Sequence, residues 1–356
     1  MFLFLSEQIY KMRLLEVELP KNIIIGNGAL ERIGTLCQEL DLKGSVGFFT
    51  GPNVIKIIGR RVLDVLESHD YDINVSVLPK KIEMSHLANI KDCDFIMGVG
   101  GGRIIDAAKM VAKNKNIPFI SVPTAVSHDG IASDRAVIDT YSVSAVMPTA
   151  IVIDMDVIKE SPYRLTASGC ADMISKLTAV ADWELSHKKT GEYISEYAAT
   201  INRKSAELIM SYARPIRNLD KKGLRNLVEA LVFSGVSMSI AGSSRPASGS
   251  EHLFSHALKK LYPEKTSLHG EECGVGTVLC SYFHNMNWQK IVRALETIGS
   301  PINNEQLRVP ESVLIKALAE AKNIRTDRYT ILHDKDIDEN KALKAARETD
   351  VIQKGI

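Results

Sequence analysis

The sequence predicts an α/β domain built on a mainly parallel sheet, followed by an all-α domain. Three observations carry that prediction. Short runs rich in Val, Ile and Phe alternate with helical patterns through the first half. Most of these runs end in Gly or Pro, as buried strands do before a turn. Beyond about Asp156 the pattern changes to long amphipathic segments with no convincing strand. The predicted domains are therefore 1–158 and 159–356.

The predicted strands, in order, are NIIIG (22–26), SVGFFTG (45–51), YDINVSVLP (71–79), DFIMGVGGG (94–102), IPFISVPT (117–124) and AIVIDMDVI (150–158). ALERIGTLCQEL (29–40), IIGRRVLDVLESH (57–69) and IIDAAKMVAKNK (104–115) predict the helices between them, giving β-α-β units with both sheet faces covered. In the second half, ADMISKLTAVADWELSHKK, SEYAATINRKSAELIMSYARPI and NLVEALVFSGVSMSIAG read as helices. No Gly- and Pro-rich linker separates the halves. They are expected to pack directly and to enclose a cleft, where ligands tend to bind.

A hydrophobic content of 45% in 356 residues is ample for a core, and the formal net charge is +1. That balance gives no electrostatic case for nucleic acid or an anionic membrane, while a small anionic ligand needs only a few local charges. Cys37, Cys93, Cys170, Cys273 and Cys280 are odd in number and contain no C-x-x-C pair, which predicts reduced thiols in a cytoplasmic protein. No apolar run is read as long enough to span a bilayer. The opening MFLFLSEQIYKM is too short for a signal peptide and is read as an extension, with Met12 a candidate start.

DFIMGVGGGRIIDAAK runs from strand into helix with glycine at 98, 100, 101 and 102. A pyrophosphate approaches such a turn where side chains are absent, and the N–H groups at the helix start attract its charge. The spacing is not G-x-G-x-x-G, and a tight βα turn that binds nothing is the alternative. Gly26-Asn27-Gly28 is read as a plain turn. PTAVSHDGIASD follows a buried strand, so both loops belong at the carboxyl ends of strands. There Thr124, Ser127 and Ser133 are candidates for sugar or phosphate oxygens and Asp129 for a hydroxyl, though each is also a natural turn or cap residue.

In the helical half, GCADMISK carries Asp172, GSEHLFSH carries His252 and His256, and SLHGEECGVGT carries His269. His252 and His256 stand one turn apart on one helix face. Glu251 precedes the first histidine, so this is not H-E-x-x-H. One carboxylate and two imidazoles make a ligand set for a divalent ion with a position left open, but capping, surface and core roles are the alternatives for each.

GVGGGRIIDAAK, PTAVSHDG, GCADMISK, SRPASGSEHLFSHAL, LHGEECGVGT and DRYTILH appear in this order. Together they resemble the iron- or zinc-dependent polyol dehydrogenase superfamily, which also holds glycerol dehydrogenase and dehydroquinate synthase. SRPASGSEH and RYTILH are features of the branch that makes sn-glycerol 1-phosphate for archaeal-type membrane lipids. The resemblance implies NAD or NADP held by Gly102, Arg103, Ile104, Ile105, Asp106, Thr124, Ala125, Val126, Ser127 and Ser133. It implies one zinc ion per subunit on Asp172, His252 and His269, and dihydroxyacetone phosphate contacted by Asp129, Asp172 and His256. His256 and Asp129 are the implied catalytic pair, with His256 the proton donor because imidazole titrates near neutral pH. A homo-oligomer is expected, with no nucleic-acid partner.

TGPNVIK after the second strand lacks the acidic residue that rejects a 2′-phosphate, so both cofactors are expected, with Asn53 and Lys56 as weak ribose candidates. The serines and Arg245 of SSRPASGS are candidate phosphate donors. Glycerol dehydrogenase and a dehydroquinate synthase-like lyase are the rival readings.

Overall fold

The computed structural model describes residues 15–83, 85–88, 90–138 and 141–353. The predicted N-terminal extension lies outside them. Six parallel strands form one sheet: β1 (Asn22–Gly26), β2 (Ser45–Thr50), β3 (Asp72–Val77), β4 (Phe95–Gly100), β5 (Phe119–Pro123) and, after a hairpin, β8 (Ala150–Asp154). The sheet order is β1-β8-β5-β4-β2-β3. The hairpin, β6 (Arg135–Ile138) with β7 (Tyr141–Ser144), is antiparallel and has no counterpart in the predicted strands.

Helices α1 (Ile33–Glu39), α2 (Arg60–Glu67) and α3 (Gly102–Lys115) fall where helical periodicity puts them. Both sheet faces are covered. Phe48, Met97, Val99 and Val152 pack on one side with Leu36 and Leu66, and Phe49, Ile96 and Phe119 pack on the other with Ile105 and Ala108. The expected strand over 150–158 stops at Asp154. The Asp154 carboxylate accepts from the Asp156 N–H at 3.0 Å, an N-cap that turns Met155–Glu160 into a short helix.

The long helices begin at Tyr163, just past the predicted domain break. They include α4 (Tyr163–Thr190), α5 (Glu196–Ser211), α6 (Lys221–Ala241), α7 (Ser250–Leu261) and α8 (His269–Phe283). Contrary to the sequence reading, α6 is long and apolar enough to cross a membrane by length and composition alone. Its Leu224, Leu227, Val228 and Leu231 are instead buried in the helical core. Ile151 and Ile153 of β8 enter that same core, so the two halves pack directly.

Three helical glycines set how closely the halves approach. A Cβ on Gly169 of α4 would lie 2.0 Å from the Val126 carbonyl oxygen, and one on Gly235 of α6 would lie 2.7 Å from the Ala132 carbonyl carbon. Both press on the loop after β5. A Cβ on Gly270 of α8 would meet the Ser168 carbonyl oxygen at 2.0 Å, where backbone cannot yield as a flexible side chain does. Gly270→Ala is expected to destabilise the fold by about 1–3 kcal/mol. Urea unfolding checks this, and an unchanged midpoint would contradict the packing.

Candidate metal and nucleotide site

The glycine turn links β4 to α3. Gly101 is the extended N-cap residue of α3, and no side chain caps the helix start. A Cβ on Gly101 would meet nothing within 4 Å, so the space before the first free N–H groups is open. Gly102 and Gly100 differ. A Cβ on Gly102 would lie 1.9 Å from His128 Nε2, and one on Gly100 would meet Ile104 at 2.8 Å. The turn therefore needs its glycines for packing as well as for access.

The candidate nucleotide residues come together from two loops. The Thr124 N–H donates to the Gly100 carbonyl at 3.0 Å, joining the turn after β5 to the glycine turn. Ile104, Ile105, Ala125 and Val126 are buried, so what they present to a ligand is backbone. Arg103 is exposed and donates to the Lys80 carbonyl. Asp106 is buried; Oδ2 accepts from the Val137 N–H at 3.1 Å while Oδ1 has no partner. Burial pushes its carboxyl up, against Lys109 and His128. The Ser127 carbonyl accepts from Ser168 at 3.2 Å. Ser133 is buried, and its hydroxyl is engaged with the Arg135 backbone. Asn53 is exposed in the turn after β2, the neighbour of β4, and Lys56 is exposed in the helical segment Ile55–Gly59 that follows it. Gly28, at φ 68°, forms the plain left-handed turn expected of it.

The candidate metal residues converge. Asp172 on α4, His252 on α7, and His269 and Cys273 on α8 each offer one donor atom, all within 4.8 Å of one another. The imidazoles are held from behind. Glu251 Oε1 can only accept, so the 2.8 Å contact with His252 Nδ1 is an Nδ1–H donation, leaving Nε2 as a lone pair 3.6 Å from Asp172 Oδ1. The Ser255 hydroxyl donates to Glu272 at 2.7 Å, so its oxygen accepts from His269 Nδ1 at 3.0 Å. Each ring thus turns its Nε2 lone pair toward the shared space. That donor set fits a divalent ion of the zinc type. Cys273 sits one turn beyond His269; burial, then Asp172 and Glu251, push its thiol well up.

Asp129 comes from the loop after β5 and meets this cluster. Its N–H donates to Asp172 Oδ2 at 3.2 Å, and its Oδ2 accepts from Ser234 at 2.7 Å. Lys176, fully buried, lies 3.1 Å from both Asp129 Oδ2 and Asp172 Oδ1. Burial opposes the charge on Asp129, but Lys176 and Ser234 outweigh it and hold the carboxyl below its ordinary value.

His256 borders the cluster, its ring centroid 6.2 Å from that of His269. Its expected titration near neutral pH is corrected. Burial first, then His252, Lys259, Arg328 and Arg325, pull it down to about 3, so at neutral pH it is a neutral imidazole with one N–H to donate. Arg245 is corrected as well. It is buried with its guanidinium committed to Glu192, Ser186 and the Tyr329 carbonyl, so it braces the chain instead of presenting donors to a phosphate. Sequence reading missed His128, Lys176, Glu251 and Cys273. The i, i+4 spacings of Asp172 with Lys176 and of His269 with Cys273 were the signals available for two of them.

Comparison with known proteins places this geometry. Residues 24–162 match the family model described as iron-containing alcohol dehydrogenase. A glycerol-1-phosphate dehydrogenase (NAD(P)+) of Methanosarcina mazei is 45% identical over 346 residues, covering 94% of this chain and 96% of that protein. The protein of that name from Thermococcus sibiricus is 42% identical, covering 94% and 98%. Among solved structures, glycerol dehydrogenase from Schizosaccharomyces pombe superposes with a TM-score of 0.81 at 22% identity, covering 95% of this chain and 91% of that one. At that identity the likeness is one of fold.

Glu251→Gln removes the charge that fixes the His252 tautomer. The expected outcome is a roughly 10–100-fold weaker hold on zinc, read by competition with a chromophoric chelator. His269→Ala is expected to abolish metal retention while far-UV circular dichroism stays native. A metal-replete His269→Ala protein would refute the cluster as a site.

Proposed function

The chain belongs to the glycerol-1-phosphate dehydrogenases, and from that premise we propose that it interconverts dihydroxyacetone phosphate and sn-glycerol 1-phosphate with NAD(P). One observation carries the reading at the level of chemistry. A carboxylate and two Nε2 lone pairs share one small space, beside a loop that joins the open glycine turn. Relatives at 41–45% identity carry one name, whereas the glycerol dehydrogenase likeness is structural. That favours the phosphorylated triose over free glycerol and over a lyase reaction.

In this reading Asp172, His252 and His269 hold zinc, and the backbone of Gly102 through Asp106 with Thr124 through Ser127 holds the dinucleotide. When bound, zinc supplies Lewis-acid polarisation of a carbonyl and the nicotinamide supplies or takes the hydride. Glu251 and Ser255 keep both imidazoles in the tautomer that ligates. Asp129, kept anionic by Lys176 and Ser234, accepts from a substrate hydroxyl and orients it. His256 donates its N–H to the substrate oxygen and passes a proton between that oxygen and solvent. Burial of the site excludes bulk water from these polar contacts. Lys109, fully buried and donating to the Gly130 and Arg135 carbonyls, steadies the loop that carries Asp129.

The expected result with zinc-loaded protein is oxidation of NADH or NADPH on adding dihydroxyacetone phosphate, loss of turnover on chelation, and a single enantiomer on chiral analysis. No cofactor oxidation with either dinucleotide, or turnover on free dihydroxyacetone alone, would overturn the reading. His256→Ala is expected to keep bound metal and lose at least about 100-fold in kcat. Loss of metal from that variant would move His256 into the ligand set.

A further inference from the structure

The site's donors so far account for a carbonyl and a hydroxyl, but not for a phosphate. Asp129, Asp172 and Glu251 are anionic, and Arg245, the sequence candidate, is occupied by Glu192. Of the other buried cations among the described residues, Lys176 lies between Asp129 and Asp172 and Lys109 donates to the Gly130 and Arg135 carbonyls beneath the loop, which leaves Arg328. Arg328, 5% exposed, donates at 2.7 Å to the Ser248 carbonyl and at 2.8 Å to the Ser244 hydroxyl, both neutral. No carboxylate lies within ion-pair distance of it among the described residues. Neighbouring Asp327 is taken by Arg325 at 2.7 Å. Burial, then repulsion from Arg325 and Arg245, pulls its guanidinium down to about 9, and the attraction of Asp327 and Glu192, neither in contact with it, does not make up the difference.

Its position is fixed at the start of the helix that carries two of the site's histidines. Ser248 immediately precedes Gly249, the N-cap of α7, which carries His252 and His256. The chain around Arg328 is tied down by Arg245 to the Tyr329 carbonyl at 2.9 Å and by the Ile331 N–H to Asp182 at 2.7 Å. Asp182 in turn accepts from the Ser250 N–H at 2.6 Å, so one buried carboxylate sets Arg328 and the start of α7 in a common frame. Arg325, Arg328 and Lys259 are all close enough to His256 to act on its charge. A planar guanidinium with spare N–H groups matches two oxygens of a phosphate monoester.

We propose that Arg328 is the phosphate-recognition residue of the substrate site, with Arg325 adding positive charge at its mouth. The proposal rests on the functional reading above. It makes Arg328 the discriminator between a phosphorylated triose and the free ketone, because without the dianion its buried charge stays uncompensated.

The test uses zinc-loaded wild-type, Arg328→Lys and Arg325→Gln proteins. kcat/KM is measured for dihydroxyacetone phosphate and for dihydroxyacetone, with inorganic phosphate binding followed by calorimetry. The ratio of the two kcat/KM values is expected to fall roughly tenfold or more in Arg328→Lys, which keeps charge and loses the fork, and less in Arg325→Gln. Phosphate affinity is expected to fall in parallel. If Arg328→Lys yields no folded protein, Arg325→Gln decides: an unchanged ratio and unchanged phosphate affinity overturn the assignment. Equal losses on both substrates, or a change confined to KM for NADPH, also overturn it. Phosphate binding that depends on Arg328 in a protein inactive on the triose phosphate would sink the functional reading and leave the anion site standing.

Discussion

Three charges buried together, Asp129, Lys176 and Asp172, are the constraint on which the site depends. They join a loop of the sheet half to a helix of the other half at 3.1 Å contacts. Taking such groups out of water is costly, and the cost is offset only when each charge finds good partners. Here the ammonium lies between two carboxylates, a hydroxyl from Ser234 and an N–H from Asp129 complete them, and the group keeps one net negative charge. That residual charge suits a cation held at Asp172. A ligand set built this way selects for a divalent ion by electrostatics before coordination geometry enters.

The close backbone approaches serve the same end. Gly169 and Gly235 let two helices rest directly on the loop that carries Asp129, and Gly270 lets α8 rest on α4 next to His269. Side chains at these points would hold the elements apart by more than the tolerance of a hydrogen bond. The glycines of the β4 turn work differently. Gly101 leaves room for a ligand, while Gly102 leaves room for His128, which lies between the nucleotide turn and Asp129. Small residues thus set distance in one half and access in the other.

Much of this was legible in the sequence, for reasons that differ by element. Strands β2, β4 and β5 are buried on both faces, so their near-continuous apolar runs stand out, and the edge strands β1 and β3, though part-exposed, are still rich in Ile and Val. The β6–β7 hairpin was invisible because RAVI and YSVS are only four residues each and YSVS alternates polar residues with apolar ones. Strand β8 was read too long because Met155, Val157 and Ile158 continue the apolar run while the cap at Asp154 ends it. Asp172, His252 and His269 could be nominated from residue type, but their convergence is a tertiary fact that spacing does not carry. Arg245 misled because its neighbours are serines, whereas the partner that occupies it, Glu192, lies 53 positions away. Asp182 and His284, paired at 3.0 Å, have the same long-range character.

The two histidines of α7 show how one helix turn divides labour. His252 lies deeper, with Glu251 behind it, and a carboxylate on Nδ1 makes its Nε2 a better electron donor. His256, one turn along the helix, is acted on most strongly by burial, then by His252 and the cationic groups Lys259, Arg328 and Arg325. The same side chain is therefore a ligand at one position and a neutral hydrogen-bond donor at the next. What differs is the charge behind each ring, and that charge is set by elements far away in the chain. Arg325, Arg328 and Lys259 act on His256, whereas Asp172 and Glu251 lie against His252, so the charge runs from negative at the metal cluster to positive around His256. A substrate with a carbonyl at one end and an anion at the other has only one favourable orientation along such a gradient, which fixes its reacting carbon before any hydride moves.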